Sequence, residues 1–339
     1  MNPVAQRVCE AYPLTSITAL TPLGNGRHNT TFRVEAAEGS FVLQKMNASL
    51  GLGVMEDMRS VSDHLARHEI LTPRVIATDS GALIQEDQGE KWRLTTYING
   101  TTIESNPTEA QIKSAAQFAG RFHSALMEYD KPFLHKIPEV LNPQRAFNEL
   151  QATMHTYKDS DKNTACNELR NIILSKTHHF GLVFDTLPLR VVHGDLKLNN
   201  FRFDASGENA IALIDLDTLG RYLLPFELGD MLRSWCTVRE ETTWSLNTET
   251  WKQALREYRA HAKWITQAEW DAVPDGFLII TLALAARYLT DAYEERYFTL
   301  DPVYANLFEQ NLTRARLYMT LLDDFFLHEQ EIRALTAVS

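Results

Sequence analysis

Two runs carry residue types that could do chemistry together. The first is Val191-Val192-His193-Gly194-Asp195-Leu196-Lys197-Leu198-Asn199-Asn200, of the form H-x-D-L-K-x-x-N. The second, Ala212-Leu213-Ile214-Asp215-Leu216-Asp217-Thr218, is a short apolar segment ending in aspartate. A carboxylate that can take a hydroxyl proton, a cation beside it, and amide and carboxylate oxygens suited to Mg²⁺ form the set that phosphoryl transfer requires. Asp195 is the candidate base, orienting an acceptor hydroxyl as much as deprotonating it. His193 reads as a brace for the loop backbone. Lys197, two residues after Asp195 in an extended loop, could project to the same side and neutralise charge on a moving phosphoryl group, or could simply be solvated.

Asn200 and Asp215 are the candidate Mg²⁺ ligands, since this ion takes few oxygens from protein and the rest from phosphate and water. Asp217 lies on the same side of an extended chain as Asp215 and could reach a second metal or only a basic neighbour. Asn199 reads as a loop-shaping residue.

Upstream, Leu23-Gly24-Asn25-Gly26-Arg27-His28-Asn29-Thr30-Thr31-Phe32 is a glycine-containing turn between two strand-like segments. Gly24 and Gly26 would let backbone approach a phosphate, although a plain hairpin uses the same residues. The next strand, Phe41-Val42-Leu43-Gln44-Lys45-Met46, should present a lysine to the α- and β-phosphates. That position falls on Gln44, and the lysine comes one residue later, on the opposite face. Either Gln44 acts as a neutral donor or a bulge turns Lys45 inward. Glu56 and Asp57 are the candidate partners on the following helix, or simply first-turn carboxylates.

The elements that must hold these groups divide the chain in two. Over residues 1–98 the strand-like segments are Leu14–Leu23, Thr30–Val34, Phe41–Met46, Arg74–Ala77, Ala82–Gln85 and Trp92–Ile98. One helix, marked by Met55, Met58, Val61 and Leu65, interrupts them. From Thr108-Glu109-Ala110-Gln111, an N-cap signature, helical patterns dominate residues 99–339: to about Met127, then over 143–180, 248–263, 274–297 and 302–332. The motif runs sit among them with strand flanks Leu189–Val192 and Ala210–Ile214. The fold class is α+β, with a small antiparallel sheet carrying one helix, a larger mostly helical lobe, and residues 98–105 joining them.

The net charge of −11 disfavours nucleic acid and anionic membrane as partners, while leaving a cationic acceptor open. Cys9, Cys166 and Cys236 are scattered and odd in number, which reads as reduced thiols in a cytoplasmic protein. No secretory signal is visible at the N-terminus. The apolar run Phe277–Ala286 is too short to span a bilayer and is expected as a buried helix. Nothing implies an obligate protein partner.

With these residues in view, the chain resembles the aminoglycoside phosphotransferase and choline kinase group, which is similar to protein kinases in its bilobal fold. Within the group it looks most like N-acetylhexosamine 1-kinases. The resemblance covers about residues 20–320. It rests on Gly24 to Thr31, Leu43-Gln44-Lys45-Met46-Asn47, Trp92-Arg93, His193 to Asn200, Ile214 to Thr218, Phe226 to Arg233, and Arg287-Tyr288-Leu289-Thr290-Asp291.

The resemblance implies ATP and Mg²⁺ as cofactors, with residues 1–98 binding nucleotide and residues 99–339 supplying the catalytic and acceptor groups. It implies a nucleotide site of Gly24, Gly26, Asn29, Gln44 and Lys45, with Gln44 favoured as a neutral donor. Asp195 would be the base, and Asn200 and Asp215 would hold metal. His28, Arg287, Asp291 and an aromatic at Tyr297 or Phe298 would bind a sugar. Arg287 and Asp291, one helical turn apart, could face the cleft together or pair with each other. Gly194 stands where members of the group often have asparagine. Asp230 and Arg233 read as an internal brace.

The sequence therefore predicts an enzyme that phosphorylates the C1 hydroxyl of a free sugar, an N-acetylhexosamine such as GlcNAc or GalNAc. Alternatives are a kinase of the same fold with another acceptor (aminoglycoside, choline or a different sugar) and a nucleotide-binding pseudokinase, which only the shifted lysine favours.

Overall fold

The computed structural model describes residues 2–23, 30–48, 50–135, 142–177 and 184–337. The N-terminal part contains α1 (Pro3–Cys9), β1 (Ala19–Pro22), β2 (Thr31–Ala36), β3 (Gly39–Lys45), α2 (Leu52–Arg67), β4 (Val75–Ile76), β5 (Gln85–Asp87) and β6 (Glu90–Thr96). The strands form one antiparallel sheet in the order β1-β2-β3-β6-β4, with β5 paired to β6. Period-two alternation puts Phe32, Val34, Phe41, Leu43, Trp92 and Leu94 in an apolar cluster with Val8, Cys9 and Tyr12 of the α1 region. Helix α1 was not predicted. Its presence shortens the strand expected from Leu14, because Leu14 and Ile17 pack on that cluster before the chain joins the sheet at Ala19.

The C-terminal part follows as α3 (Glu109–Leu126), α4 (Pro143–Thr156), α5 (Asn163–Lys176), β7 (Leu189–Val192), β8 (Phe201–Phe203), β9 (Ala210–Leu213), β10 (Gly220–Leu223), α6 (Leu224–Cys236), β11 (Thr237–Arg239), β12 (Trp244–Leu246), α7 (Thr248–His261), α8 (Gln267–Asp271), α9 (Val273–Glu294) and α10 (Leu307–Ala337). The Thr108–Gln111 signature forms a reciprocal capping box at the start of α3. The helical pattern over 143–180 resolves into α4 and α5, because the Asn163 amide donates to the Tyr157 and Lys158 carbonyls and closes a turn between them. Three ribbons complete this part: β7 with β10, β8 with β9, and β11 with β12.

Helix α9 is long and apolar enough to cross a membrane, yet it lies largely buried against α4, α6 and α10. It crosses α6 at glycine: a Cβ on Gly276 would stand 1.9 Å from the Pro225 carbonyl oxygen, and one on Gly229 would stand 2.3 Å from the Phe277 nitrogen. Backbone contact at this crossing brings Asp230 and Arg233 of α6 to the same cavity as Arg287 of α9. The connection after β6 docks on β8, where Thr101 and Phe203 exchange backbone hydrogen bonds at 2.9 Å. This kinase-like bilobal α+β arrangement is the one the sequence predicts.

Candidate active site

The loop after β7 is held from below by apolar alternation. Leu196 and Leu198 are buried in the main core, so Asp195 and Lys197, which alternate with them, line the cavity on the other side. His193 is fully buried and does not face solvent. Its Nδ1 accepts the Asp195 N–H at 3.2 Å, so Nε2 donates to the Ile214 carbonyl at 2.9 Å and ties the two motif runs together. The bracing role predicted for His193 is the one it occupies. Glu227 of α6 accepts the backbone N–H of His193 at 2.8 Å and of Gly194 at 2.9 Å. Trp235 Nε1 donates to the Leu196 carbonyl at 2.7 Å. Gly194 has φ +85°, and a Cβ there would stand 2.6 Å from the Thr218 carbonyl oxygen. Backbone geometry, not acceptor choice, therefore accounts for glycine at this position.

Asp195, Lys197 and Asn200 converge. Lys197 Nζ lies 2.6 Å from Asp195 Oδ2, and Asn200 Nδ2 donates to the same oxygen at 3.0 Å and to the Asp195 carbonyl at 2.8 Å. Asp195 Oδ1 is left for another ligand. The Asn200 amide oxygen is likewise left as the atom able to ligate a cation. Burial acts to lower the Lys197 pKa, but the Asp195 carboxylate overrides it and the net shift is upward, keeping the ammonium charged.

Asp215 adopts a left-handed conformation, φ 63° and ψ 62°, a strained placement at the turn after β9. Desolvation, then the charges of Asp217 and Asp195, push its pKa up, with His193 and Lys197 opposing. Among the described residues no group of three or more His, Cys, Asp or Glu forms a self-sufficient metal cage. One amide oxygen and one carboxylate, completed by phosphate and water, fit Mg²⁺ and not a dedicated all-protein site.

The sheet face of the cleft departs from the expected pattern. Lys45 does not turn inward: it pairs with Glu90 at 3.1 Å, on the face that carries Leu43 and Trp92. Gln44 faces the other way and accepts from Arg93 Nε at 2.9 Å and Nη2 at 2.6 Å, from the directly opposite position on β6. The same guanidinium, 4 % exposed, donates to both carboxylate oxygens of Asp217. Of the two readings of Asp217, the structure shows the basic neighbour, with both carboxylate oxygens accepting from Arg93. Asp57 is buried and binds the Leu134 and His135 backbone N–H groups, away from the cleft. The α2 residue that meets Arg93 is Met55, whose sulfur lies 3.9 Å from Nη1.

Beside Asp195 opens a cavity of about 360 Å³, lined among others by Lys197, Tyr222, Asp230, Arg233, Arg287 and Tyr297. Its carboxylates are engaged: Glu227 with the loop N–H groups, and Asp230 with Arg233 Nε at 2.8 Å. The Arg287 guanidinium stacks over the Tyr297 ring at 4.8 Å and meets no carboxylate among the described residues. Asp291 is not part of this cavity. It is 2 % exposed and accepts the backbone N–H groups of Arg296, Tyr297 and Phe298 and the Asn311 amide. It neither faces the acceptor nor pairs with Arg287; it folds the segment that carries Tyr297. Gly24, Gly26, His28 and Asn29 lie outside the described residues.

Sequence reasoning assigned no role to Arg93 or Glu227. An arginine set between Trp92 and Leu94 in the middle of a strand was the available signal for the first. A glutamate inside the apolar start of α6, Leu224-Pro225-Phe226-Glu227-Leu228, was the signal for the second.

Comparison with known proteins agrees with this geometry. The model of the phosphotransferase enzyme family matches residues 19–271. A homoserine kinase of Rhodopseudomonas palustris (strain BisA53) is 22% identical over 280 residues, 82% of this chain and 80% of that one. Among solved structures, a microcompartment-associated aminopropanol kinase superposes with a TM-score of 0.66 at 15% identity, covering 96% of this chain and 98% of that one. The amicoumacin kinase hAmiN, in complex with AMP-PNP, Ca²⁺ and Ami, gives a TM-score of 0.62 at 14% identity, covering 93% of each chain. With the family model spanning most of the chain and both motif runs brought together in one cleft, this protein belongs to the phosphotransferase enzyme family.

Proposed function

We propose that this protein is an ATP- and Mg²⁺-dependent small-molecule kinase that phosphorylates the C1 hydroxyl of an N-acetylhexosamine, giving the sugar 1-phosphate. The observation that carries the kinase reading is the convergence of Asp195, Lys197 and Asn200, with Asp195 and Lys197 lining a cavity and the Asp215 charge felt by both. In this reading residues 1–98 hold the nucleotide and residues 99–339 supply catalysis and acceptor binding. The acceptor hydroxyl gives its proton to Asp195 Oδ1 as its oxygen bonds to the γ-phosphorus and the bond to ADP breaks. Lys197 offsets charge on the moving group, and Asn200 and Asp215 would hold the metal. Mg²⁺, when bound, neutralises phosphate charge.

Two features support a neutral sugar over a polycationic acceptor. The cavity carboxylates are already paired, and an arginine stacked on a tyrosine offers hydrogen-bond donors beside an apolar ring face. The N-acetylhexosamine assignment is supported by the runs on which that resemblance rests: Gln44, Arg93 and Asp217, from three of them, form a single network.

A second reading has its own support. The curated relatives named homoserine kinase, together with an Arg287 that meets no carboxylate among the described residues, favour an amino-acid hydroxyl whose carboxylate would pair with that guanidinium. The test is ADP release with ATP and Mg²⁺ across GlcNAc, GalNAc, homoserine, choline and an aminoglycoside. Turnover with an N-acetylhexosamine supports the first reading, turnover with homoserine alone replaces it with the second, and turnover with none contradicts both.

A further inference from the structure

A nucleotide cleft needs a fixed cation on its sheet side, and in this chain β3 does not provide one. Gln44 stands at the inward position, and Lys45 is turned to Glu90 on the other face. Among the described residues no α2 carboxylate pairs with Arg93 either: the α2 side chain that meets it is Met55, and Asp57 is engaged with the Leu134 and His135 backbone. Both charges are nevertheless present. The cation comes from β6 as Arg93, cross-strand from Gln44, and the carboxylate comes from the metal-carrying turn as Asp217.

The fork of Arg93 is fully engaged. Nε and Nη2 donate to Gln44 Oε1, Nη1 and Nη2 donate to the two oxygens of Asp217, and the remaining Nη1 hydrogen faces the Met55 sulfur. Lysine has neither the planar fork nor the donor number to hold both partners at once. The network joins two strands of the sheet to a turn whose residues Asp215 and Asp217 are two apart. The turn also packs against α2.

We propose that Arg93 is the positioning cation of the nucleotide cleft. With its donors taken by Gln44 and Asp217 it acts through the turn and not on phosphate: it fixes the sheet to the Asp215–Asp217 turn and so sets Asp215 where it can ligate Mg²⁺. This rests on the kinase reading above. It makes a strand-to-strand relocation of charge the reason Gln44 is tolerated at the inward position.

The experiment is calorimetric titration of Mg²⁺-ADP into the full-length protein, which needs no acceptor, with melting temperature and acceptor KM measured alongside. The variants are Arg93→Met, Asp217→Asn, the two together, and Gln44→Lys in the Arg93→Met background. Arg93→Met and Asp217→Asn should each weaken Mg²⁺-ADP by roughly tenfold or more, the pair should be no worse than the weaker single, and acceptor KM should stay within about twofold. Gln44→Lys should restore part of the lost affinity, since it returns a cation to the same face. Should Arg93→Met fail to fold because Asp217 is left buried and unpaired, the double variant carries the test, since it removes both charges.

Equal Mg²⁺-ADP affinity in wild type and folded variants, with only the melting temperature lowered, would overturn the inference and leave the kinase reading intact. Absence of Mg²⁺-ADP binding by the wild type would overturn both.

Discussion

The Asn200 side-chain amide donates to the Asp195 carboxylate at 3.0 Å, so the residue placed to hold a cation also orients the residue placed to take a proton. The bond uses Asp195 Oδ2, which Lys197 shares, and leaves Oδ1 toward the cavity. Replacing Asp195 by asparagine keeps the shape and removes the proton acceptor. The Asp195→Asn protein should lose roughly 10²- to 10⁴-fold in kcat, with ATP KM nearly unchanged. Steady-state kinetics check this, and an equal rise in ATP KM would mean that Asp195 belongs to nucleotide binding.

Asp215 makes a different prediction because desolvation within the cleft, then the charges of Asp217 and Asp195, raise its pKa although the residue remains open to water. A carboxyl whose folded-state pKa lies above its unfolded value contributes its stability fully at low pH and loses it as pH rises through the folded value. Metal-free Asp215→Asn protein should therefore melt higher than wild type at neutral pH, with the gap closing on acidification. The effect should be small, since the side chain opens to the cleft and water screens it. The same variant should bind Mg²⁺-nucleotide poorly, so that Mg²⁺-ADP raises the wild-type melting temperature and not the variant's. Thermal melts across pH, with and without Mg²⁺-ADP, read both effects.

Glu227 accepts two backbone N–H groups of the catalytic loop while nearly fully buried. Truncation leaves both donors without partners. Glu227→Ala should destabilise the protein by about 3 kcal/mol or more, since hydrogen bonds to a charged group are worth about 1.5–3 kcal/mol each. Glu227→Gln, which keeps one acceptor oxygen, should cost about half as much. Denaturant unfolding distinguishes them, and a loss under about 0.5 kcal/mol for the alanine variant would mean that water replaces the carboxylate.

Gly194 sits at φ +85° against the Thr218 carbonyl. Gly194→Ala should cost roughly 1–3 kcal/mol from the left-handed backbone. It should also lower kcat, because relief of the clash would move the Asp195 loop away from the Asp215 turn. Unfolding and kinetics should change together. A kcat unaffected by the substitution would show that the two runs need not touch.

Arg287 lines the cavity beside Asp195 that is proposed to take the acceptor. Arg287→Ala should raise acceptor KM by about tenfold or more and leave ATP KM unchanged. Arg287→Lys should rescue it only in part, since a lysine neither stacks on Tyr297 as a plane nor offers a fork.

The catalytic loop was legible because its chemistry is local. His193, Asp195, Lys197 and Asn200 stand within eight residues, and the extended part from Asp195 to Lys197 puts two of them on one face. Buried leucines at 196 and 198 enforce that alternation. The helical lobe was legible for the same reason, from the capping box at Thr108 to the apolar run in α9. The sheet side was not. Arg93 and Asp217 are 124 residues apart, and only the β3–β6 register puts Arg93 opposite Gln44. The sequence also offered Asp291 as a site residue by helical spacing from Arg287. At that spacing it folds back on the 296–298 backbone instead, because three N–H groups need an acceptor there.

The central claim is transfer of the γ-phosphoryl group of ATP to an anomeric hydroxyl with Asp195 as base. The most direct measurement is ³¹P NMR of the product formed from ATP, Mg²⁺ and GlcNAc or GalNAc, by wild type and by Asp195→Asn. The account predicts a new monoester signal coupled to the anomeric proton, formed by wild type and lost in the variant. A phosphate coupled to any other sugar proton, or no transfer to either sugar, would contradict it.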